Sequence, residues 1–247
     1  MNIMTCRFCG EDRKLIKAHI IPAGFFRILR HGQIPPQMLT TNENEYTKRM
    51  PIGVYDKNIL CEICEPLFGV WDNYAQQLLG LEPKGSSPII NQGEIYGYEI
   101  QKYNYELLKL FFISLLWRAS LSKHIFYSKV NLGLFEHIAK RFIEHNDPGT
   151  PEDFSVTLAK FDHPIGKTIL DPHPEKPEGI NYYRFYFGSY IAYIKVDKRN
   201  TTGLHIDFMM KPGKPLQIIR RNLHQSKELP LIHDIVLSDN KGKVPTR

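Results

Sequence analysis

Two short stretches, CRFCGEDRKLIKAHIIP at residues 6–22 and YDKNILCEICE at residues 55–65, determine how the first third of the chain is interpreted. Each stretch contains one Cys-x-x-Cys pair, and the two pairs hold all four cysteines of the sequence. A histidine, His19, lies in the apolar run that follows the first pair. The pairs indicate a metal site, and the histidine is a candidate for a reactive group.

The four cysteines, Cys6, Cys9, Cys61 and Cys64, have the spacing of two zinc knuckles. Each Cys-x-x-Cys turn presents two thiolates, and two turns complete the tetrahedral shell that Zn²⁺ prefers. The 51 residues between the pairs allow closure, because the entropic cost grows only with the logarithm of loop length. We expect one structural zinc with no open position for substrate. Two buried thiol pairs or a redox Cys-x-x-Cys are the alternatives.

The composition is that of a folded protein of a reducing compartment. With 42% hydrophobic residues, the 247-residue chain can bury a core. Four cysteines gathered in one metal-type pattern favour the cytoplasm. The segment MNIMTCRFCG does not resemble a signal peptide. The most apolar stretch, residues 107–117, is shorter than the roughly 20 residues of a membrane span and contains Lys109, so we expect no membrane partner.

The net charge of +6 comes entirely from the C-terminal part of the chain. Residues 195–247 carry eleven Lys and Arg against five Asp and Glu, whereas the preceding residues are nearly balanced. A basic segment is either an ordinary solvated surface or a face that binds phosphate groups. Nucleic acid is therefore one candidate partner.

The sequence predicts two domains, residues 1–80 and 81–247. Helical spacing predicts a short helix near residues 25–30 and a longer one after the second Cys pair that ends near Gly80. The polar stretch 31–53 predicts an inserted, mobile loop. Residues 82–88 predict a linker.

The C-terminal domain is predicted to be a helical pair against a small antiparallel β-sheet, which makes the whole chain α+β. Apolar periodicity predicts helices at about residues 104–123 and 132–145. Alternating residues at about 154–220 predict strands, including a hairpin around Gly188 and short strands in LHIDFMM and PLQIIR.

The pattern CRFC, KAHIIP and NILCEIC resembles the zinc-stapled form of the HNH, or ββα-metal, endonuclease family over about residues 6–75. The resemblance implies an N-terminal zinc-bound ββα-metal module that is treble-clef-like. It also implies a hairpin whose first strand presents His19 and whose second strand leads to the second knuckle and a helix. A catalytic divalent cation, Mg²⁺ or Mn²⁺, would lie between strand and helix.

Phosphodiester hydrolysis needs a base for water and a cation for the developing charge, and an imidazole with a pKa near 6.5 suits the first task. By resemblance, His19 is the base and Asn58 orients it. Asp56 is the alternative to Asn58, because the family's asparagine lies further ahead of the second Cys pair. Pro22 would end the strand. The other interpretation of His19 is a hydrogen-bonded strand histidine in a zinc fold that binds without cutting.

The chain departs from the family pattern at two positions. Ala18 replaces the acidic residue or histidine that commonly precedes the base, and no histidine follows the second knuckle. Glu65 or Asp72 would then bind the catalytic cation, since oxygen ligands suit Mg²⁺. Each has another interpretation: Glu65 as an acid at a helix N-terminus, and Asp72 as an exposed helix residue.

Other residues have less specific interpretations. Arg7, Arg13, Lys14 and Lys17 lie beside the expected cleft, where they are either phosphate contacts or ordinary surface. Trp117 and Arg118, at the end of the apolar helix, are interpreted as packing, with recognition as the alternative. The aromatic residues of the hairpin are also interpreted as packing, with stacking on unpaired bases as the alternative.

The expected function is that of an endonuclease that cuts or nicks DNA by metal-assisted hydrolysis, with RNA as a further target and restriction or phage defence as a role by association. The C-terminal domain is expected to recognise DNA, bind a protein partner or restrain the nuclease. The alternatives are a zinc-stabilised nucleic-acid or protein-binding module without turnover, and a zinc fold that only supports the C-terminal domain.

Overall fold

The computed structural model describes residues 3–29, 35–42, 47–50, 52–80, 85–162 and 168–241. The chain is mixed α+β, as predicted, and in these ranges it forms one large sheet and three small ones with six α-helices. The helices are α1 Ala23–Ile28, α2 Glu65–Leu78, α3 Tyr105–Leu121, α4 Phe135–Glu144, α5 Gly203–Phe208 and α6 Glu228–Lys241. The strands are β1 Ile3–Thr5, β2 Asp12–Lys14, β3 Ala18–His19, β4 Gln37–Leu39, β5 Lys48–Arg49, β6 Tyr55–Asp56, β7 Ser86–Asn91, β8 Glu94–Ile100, β9 Val156–Phe161, β10 Thr168–Leu170, β11 His173–Glu175, β12 Tyr182–Phe187, β13 Tyr190–Lys195 and β14 Leu216–Arg221.

Short antiparallel strand pairs and two helices build the N-terminal part. Strands β1 and β2 pair antiparallel on either side of the first Cys pair. Strand β3 pairs antiparallel with β6, which leads to the second Cys pair and then to α2. The buried residues Phe68, Trp71 and Ala75 recur three and four positions apart on α2, so this helix presents one apolar face to the core. The predicted helices around residues 25–30 and after the second Cys pair are confirmed.

The prediction of a mobile loop at residues 31–53 is wrong where the structure describes this stretch. Strand β4 pairs antiparallel with β5 and parallel with β10. Met38 and Leu39 are fully buried, so this strand contributes to the core. Residues 31–34, 43–46 and 51 lie outside the described part of the chain.

The large sheet has seven strands in the order β11, β12, β13, β9, β14, β8, β7. All neighbours are antiparallel except β9 and β14, which are parallel. The prediction of a small antiparallel sheet is therefore wrong in size and in this one pairing. The difference arises largely from β7 and β8, because the predicted linker 82–88 runs into a strand at Ser86, while residues 81–84 lie outside the described part.

Helices cover both faces of the sheet. Along β12, Phe185 and Phe187 point into the larger core with α3, whereas Tyr186 belongs to a second core that also contains Ile235 of α6. This alternation follows from the two-residue period of a strand. The predicted strands at β9, β12, β13 and β14 are confirmed.

Helix α3 is the centre of the molecule. All residues from 108 to 119 are buried, because this helix contacts α2, α4 and the sheet from different sides. It begins where the side chain of Asn104 accepts a hydrogen bond of 2.9 Å from the backbone N–H of Leu107. The predictions of helices near 104–123 and 132–145 are confirmed as α3 and α4.

The prediction of a strand in LHIDFMM is wrong, because residues 203–208 form α5. His205 stacks on Tyr182 at 4.5 Å between ring centroids, and Phe208 lies 5.8 Å from Tyr96. These two inward residues are three positions apart, which is a helical spacing. The apolar residues that suggested a strand, including Leu204 and Ile206, are exposed.

One apolar core runs from the cysteine region into α3 and the sheet. It includes Cys6 and Phe68 from the N-terminal part and Trp117 and Phe187 from the rest. The division into domains at residue 80 stays a prediction. Within the ranges that the structure describes, no helix combines the length and the apolar character needed to cross a membrane.

Lys109 is a fully buried cation in α3, and its Nζ has no hydrogen-bond partner. Burial lowers its pKa to about 7, with Asp153 opposing the shift. The unfolded chain therefore binds more protons than the folded chain above about pH 7 and below the ordinary lysine pKa of about 10.4, so stability should rise with pH over this range. We predict that Lys109→Met removes this rise and stabilises the protein at pH 7 by roughly 2 to 4 kcal/mol. Urea unfolding at several pH values measures both effects.

The matched control is Lys102→Met, since Lys102 is exposed just before the same helix. It should leave both the stability and its pH dependence close to those of the wild type. An unchanged pH dependence in Lys109→Met would contradict the prediction.

Candidate functional site

The four cysteine sulfurs converge on one point. They all lie within 4.8 Å of one another, and the sulfurs of Cys9 and Cys61 are 4.0 Å apart. Tetrahedral Zn–S bonds of about 2.3 Å place sulfur atoms about 3.8 Å apart, so the set fits a zinc ion. With four protein ligands, such an ion has no open position and supports the fold.

Backbone hydrogen bonds shape both turns around the sulfurs. Gly10 has φ of +77°, which allows its N–H to donate to the carbonyl of Cys6 at 2.9 Å. The N–H of Glu65 donates to the carbonyl of Cys61 at 3.0 Å and begins α2. The N–H of Cys61 points at the sulfur of Cys6 at 3.4 Å, which joins the two turns.

The site also favours thiolate at one position. Burial raises the pKa of Cys61, but hydrogen bonds from the backbone N–H groups of Cys64 and Ile63 and from neighbouring thiols outweigh it, and the pKa falls to about 7. Burial and the adjacent sulfurs raise the pKa of Cys64. Four thiolates this close would repel one another, and a bound metal cation would stabilise all four negative charges.

His19 is half-buried on β3, opposite Tyr55, and the two rings are 5.9 Å apart. Its Nε2 is shielded from solvent and has no hydrogen-bond partner. A hydrogen bond to the backbone of Ile52 raises the pKa of the imidazole. In the neutral tautomer that carries its proton on Nδ1, Nε2 is the nitrogen that can accept a proton.

Burial is the largest effect on His19 and lowers its pKa. The guanidinium groups of Arg118 and Arg27 lower it further, while the bond to Ile52 and the carboxylate of Asp72 raise it. The net shift is downward, so the imidazole is neutral at pH 7.

Asp56 and Asn58 lie together, but on the other face of the hairpin from His19. Asp56 is opposite Ala18, and its Oδ1 accepts from the backbone N–H of Asn58 at 2.8 Å and from Nδ2 of Asn58 at 3.1 Å. Its Oδ2 accepts from Oγ of Ser122 at 3.0 Å and from the N–H of Lys123 at 2.9 Å. Asp56 therefore fixes β6 to the end of α3. Roles for these residues in orienting His19 stay predictions.

Asp72 is the predicted cation ligand that faces the same region as His19. Both of its oxygens accept from the guanidinium of Arg118, at 2.9 and 2.7 Å. Burial raises the pKa of Asp72, and the charge and hydrogen bonds of Arg118 oppose that rise. Arg118 also donates to the backbone carbonyl of His19 at 2.7 Å.

Glu65 does not join Asp72 in a cation site. It begins α2, two turns or roughly 10 Å before Asp72 along the helix axis. Within the described ranges, only the four cysteines form a group of three or more close side chains suited to a metal. The structure therefore gives no support to a Mg²⁺ or Mn²⁺ site near His19, where Arg118 already binds Asp72.

Arg118 has a polar role that its interpretation as a packing or recognition residue did not include. Its side chain is only 3% exposed, yet it carries a charge in a helix that is otherwise almost entirely apolar. A buried charge needs a partner, which was the signal for a polar contact at this position.

The basic surplus of residues 195–247 is partly neutralised within the fold. Lys195 pairs with Glu152 at 2.5 Å and Arg220 pairs with Asp162 at 3.6 Å, and both acids lie outside this segment. These pairings weaken the interpretation of this segment as a phosphate-binding face.

Comparisons with models of known protein families, with the sequences of characterised proteins and with solved structures found no match. The resemblance to ββα-metal endonucleases therefore depends on the residues of the chain itself.

The first prediction from this site concerns zinc. The wild type should contain about one zinc per chain, and Cys61→Ser should lose it and unfold the N-terminal part, because a structural zinc contributes on the order of 10 kcal/mol. Elemental analysis and circular dichroism measure both effects. Glu62→Gln, an exposed change within the same turn, should keep the zinc. Wild-type protein with far less than one zinc would contradict the shared site.

The second prediction concerns Asp56. Replacing it with alanine leaves the N–H groups of Asn58 and Lys123 without their acceptor, so Asp56→Ala should lower the free energy of unfolding by about 2 to 4 kcal/mol. Urea unfolding measures this. Asp12→Ala removes an exposed hydrogen bond to Thr5 and should cost less than about 1 kcal/mol. Equal losses of unfolding free energy in the two variants would contradict the role of Asp56 in fixing β6 to the end of α3.

Proposed function

We propose that the chain hydrolyses phosphodiester bonds in DNA, with His19 as general base in a zinc-stapled module of the ββα-metal type. The observation that carries the proposal is the free Nε2 of His19. This nitrogen is shielded from solvent and has no hydrogen-bond partner. A buried polar atom without a partner is costly, and an incoming water molecule would supply one.

The order of elements around His19 supports the same proposal. Strands β3 and β6 pair antiparallel, and α2 follows directly from the second Cys pair. Strand, strand and helix are thus arranged around a cysteine centre, as the resemblance implies. A treble-clef-like module is the form of zinc fold that we propose for it.

The chemistry assigned to His19 is the activation of water. In the proposed step, Nε2 takes a proton from water while the water oxygen forms a bond to phosphorus. The bond from phosphorus to the leaving oxygen breaks, and that oxygen takes a proton from solvent. The lowered pKa of His19 supports this role, because the imidazole is neutral and able to accept a proton at pH 7.

Positive side chains near His19 support an anionic substrate. Arg27 is exposed and lies close enough to act on the charge of the imidazole. Lys17 is also exposed, and its Nζ lies 5.0 Å from the ring centre of Tyr55, which itself faces His19. Exposed cations near one histidine suit contact with a phosphate backbone.

The proposal assigns no step to a catalytic cation. The ligands predicted for Mg²⁺ or Mn²⁺ do not form a fitting set, and Arg118 holds both oxygens of Asp72. The same observation favours the second candidate function, a zinc-stabilised module that binds nucleic acid without cutting it.

The test is a nicking assay on supercoiled plasmid with zinc-loaded protein, in Mg²⁺, in Mn²⁺ and without either ion. We expect His19→Ala to lower the nicking rate by roughly 100-fold or more, because it removes the proton acceptor. His233→Ala is the matched control, since His233 is exposed on α6 and has no part in the proposed step.

Three outcomes decide between the candidates. Nicking by the wild type that falls as pH drops through a value below about 6.5 fits a base with a lowered pKa. Nicking that persists in His19→Ala would overturn the assignment. Intact plasmid with a salt-sensitive mobility shift would favour the binding module.

A further inference from the structure

Arg118 joins the second half of the chain to the residue that we propose as the base. Its guanidinium donates to the carbonyl oxygen of His19 at 2.7 Å and to both oxygens of Asp72 at 2.9 and 2.7 Å. It also donates to the carbonyl and the hydroxyl of Ser114, at 3.3 Å each. The group lies over the ring of Phe68, 5.4 Å from its centre.

These contacts connect three separate elements at one planar group. Strand β3 is held through the carbonyl of His19, α2 through Asp72, and α3 through Arg118 and Ser114. A guanidinium has five donors in a fixed plane, so it can serve several acceptors at once. A lysine ammonium carries the same charge but lacks this fork.

The charges of the pair make the arrangement hard to replace. The side chain of Arg118 is 3% exposed and that of Asp72 is 16% exposed. Loss of one partner would leave the other buried and uncompensated, which destabilises strongly. In this pair, both carboxylate oxygens of Asp72 are bound by the guanidinium of Arg118.

We infer that Arg118 is a positioning residue for His19, and that helix α3 completes the site that residues 1–80 begin. This inference rests on the function proposed above. The carbonyl that Arg118 holds belongs to His19 itself, so a shift of the guanidinium moves the backbone that carries the imidazole. A displacement of about 1 Å at a reacting group can lower a rate by roughly 100-fold.

Two substitutions separate the shape of the side chain from its charge. Arg118→Lys keeps the positive charge but has no fork, so we expect a roughly 10- to 100-fold lower nicking rate with full zinc content and an almost unchanged pH profile. Arg118→Met removes the charge that lowers the pKa of His19, and it leaves Asp72, which raises it. The pH profile of this variant should therefore move upward.

The pKa of His19 depends on charged groups from three helices. They are Arg27 of α1, Asp72 of α2 and Arg118 of α3, together with the hydrogen bond to Ile52. If Arg118→Met does not fold, the double variant Asp72→Leu with Arg118→Met removes the buried pair together, which proteins tolerate better than loss of one partner. Its nicking rate should be as low as that of Arg118→Lys.

Arg141→Lys is the matched control, because Arg141 is exposed on α4 and the change is chemically the same. Its nicking rate and pH profile should equal those of the wild type. Wild-type behaviour in folded, zinc-loaded Arg118→Lys would overturn the inference.

The imidazole signals of His19 in NMR spectra keep the inference testable if the wild type cuts no substrate, an outcome that contradicts the proposed function alone. In Arg118→Lys these signals should shift by more than those of the exposed histidines His137 and His233. In Arg118→Met the titration midpoint should move to higher pH. Signals and midpoint like those of the wild type would then overturn the positioning role.

Discussion

Four sulfur atoms within 4.8 Å of one another constrain the path of the first eighty residues. The turn between β1 and β2 and the turn before α2 must meet at this point, although 51 residues separate the two Cys pairs. Once the turns meet, the segment from Leu15 runs beside the residues that precede α2, and β3 pairs with β6. His19 owes its place on that hairpin to this closure, and the spacing of the sulfurs suits a structural metal ion such as zinc.

The hairpin of β3 and β6 is also held by hydrogen bonds from helix α3. Arg118 belongs to the buried helix at the centre of the molecule, and it holds both the carbonyl of His19 and the carboxylate of Asp72. The end of the same helix supplies Ser122 and Lys123 to Asp56. The hairpin is therefore fixed on both of its faces by α3. A site supported in this way is part of the whole core, which explains why that core runs on past residue 80.

The sequence was informative where a feature is local. Helices α2, α3 and α4 followed from apolar periodicity, and the cysteine centre followed from two short motifs. Local patterns do not predict pairing between strands that are far apart in the sequence. Strand β4 pairs with β10 about 130 residues later, so its apolar residues resembled part of a loop. Six residues of α5 alternate too briefly to distinguish helix from strand. The bond between Arg118 and Asp72 spans 46 residues and left no motif.

The charges around His19 limit the kinds of reaction that this site could support. The family resemblance calls for a mobile divalent cation, whereas this fold supplies a fixed guanidinium at the carboxylate where the cation would bind. Burial is the largest effect that lowers the pKa of the imidazole, the guanidinium of Arg118 lowers it further, and the neutral ring suits a base. In the proposed reaction both oxygens of Asp72 are occupied, so exposed groups such as Arg27 and Lys17 would stabilise the charged phosphate. The proposed function therefore requires proton transfer at His19 and binding of a polyanion by exposed cations to occur at the same surface.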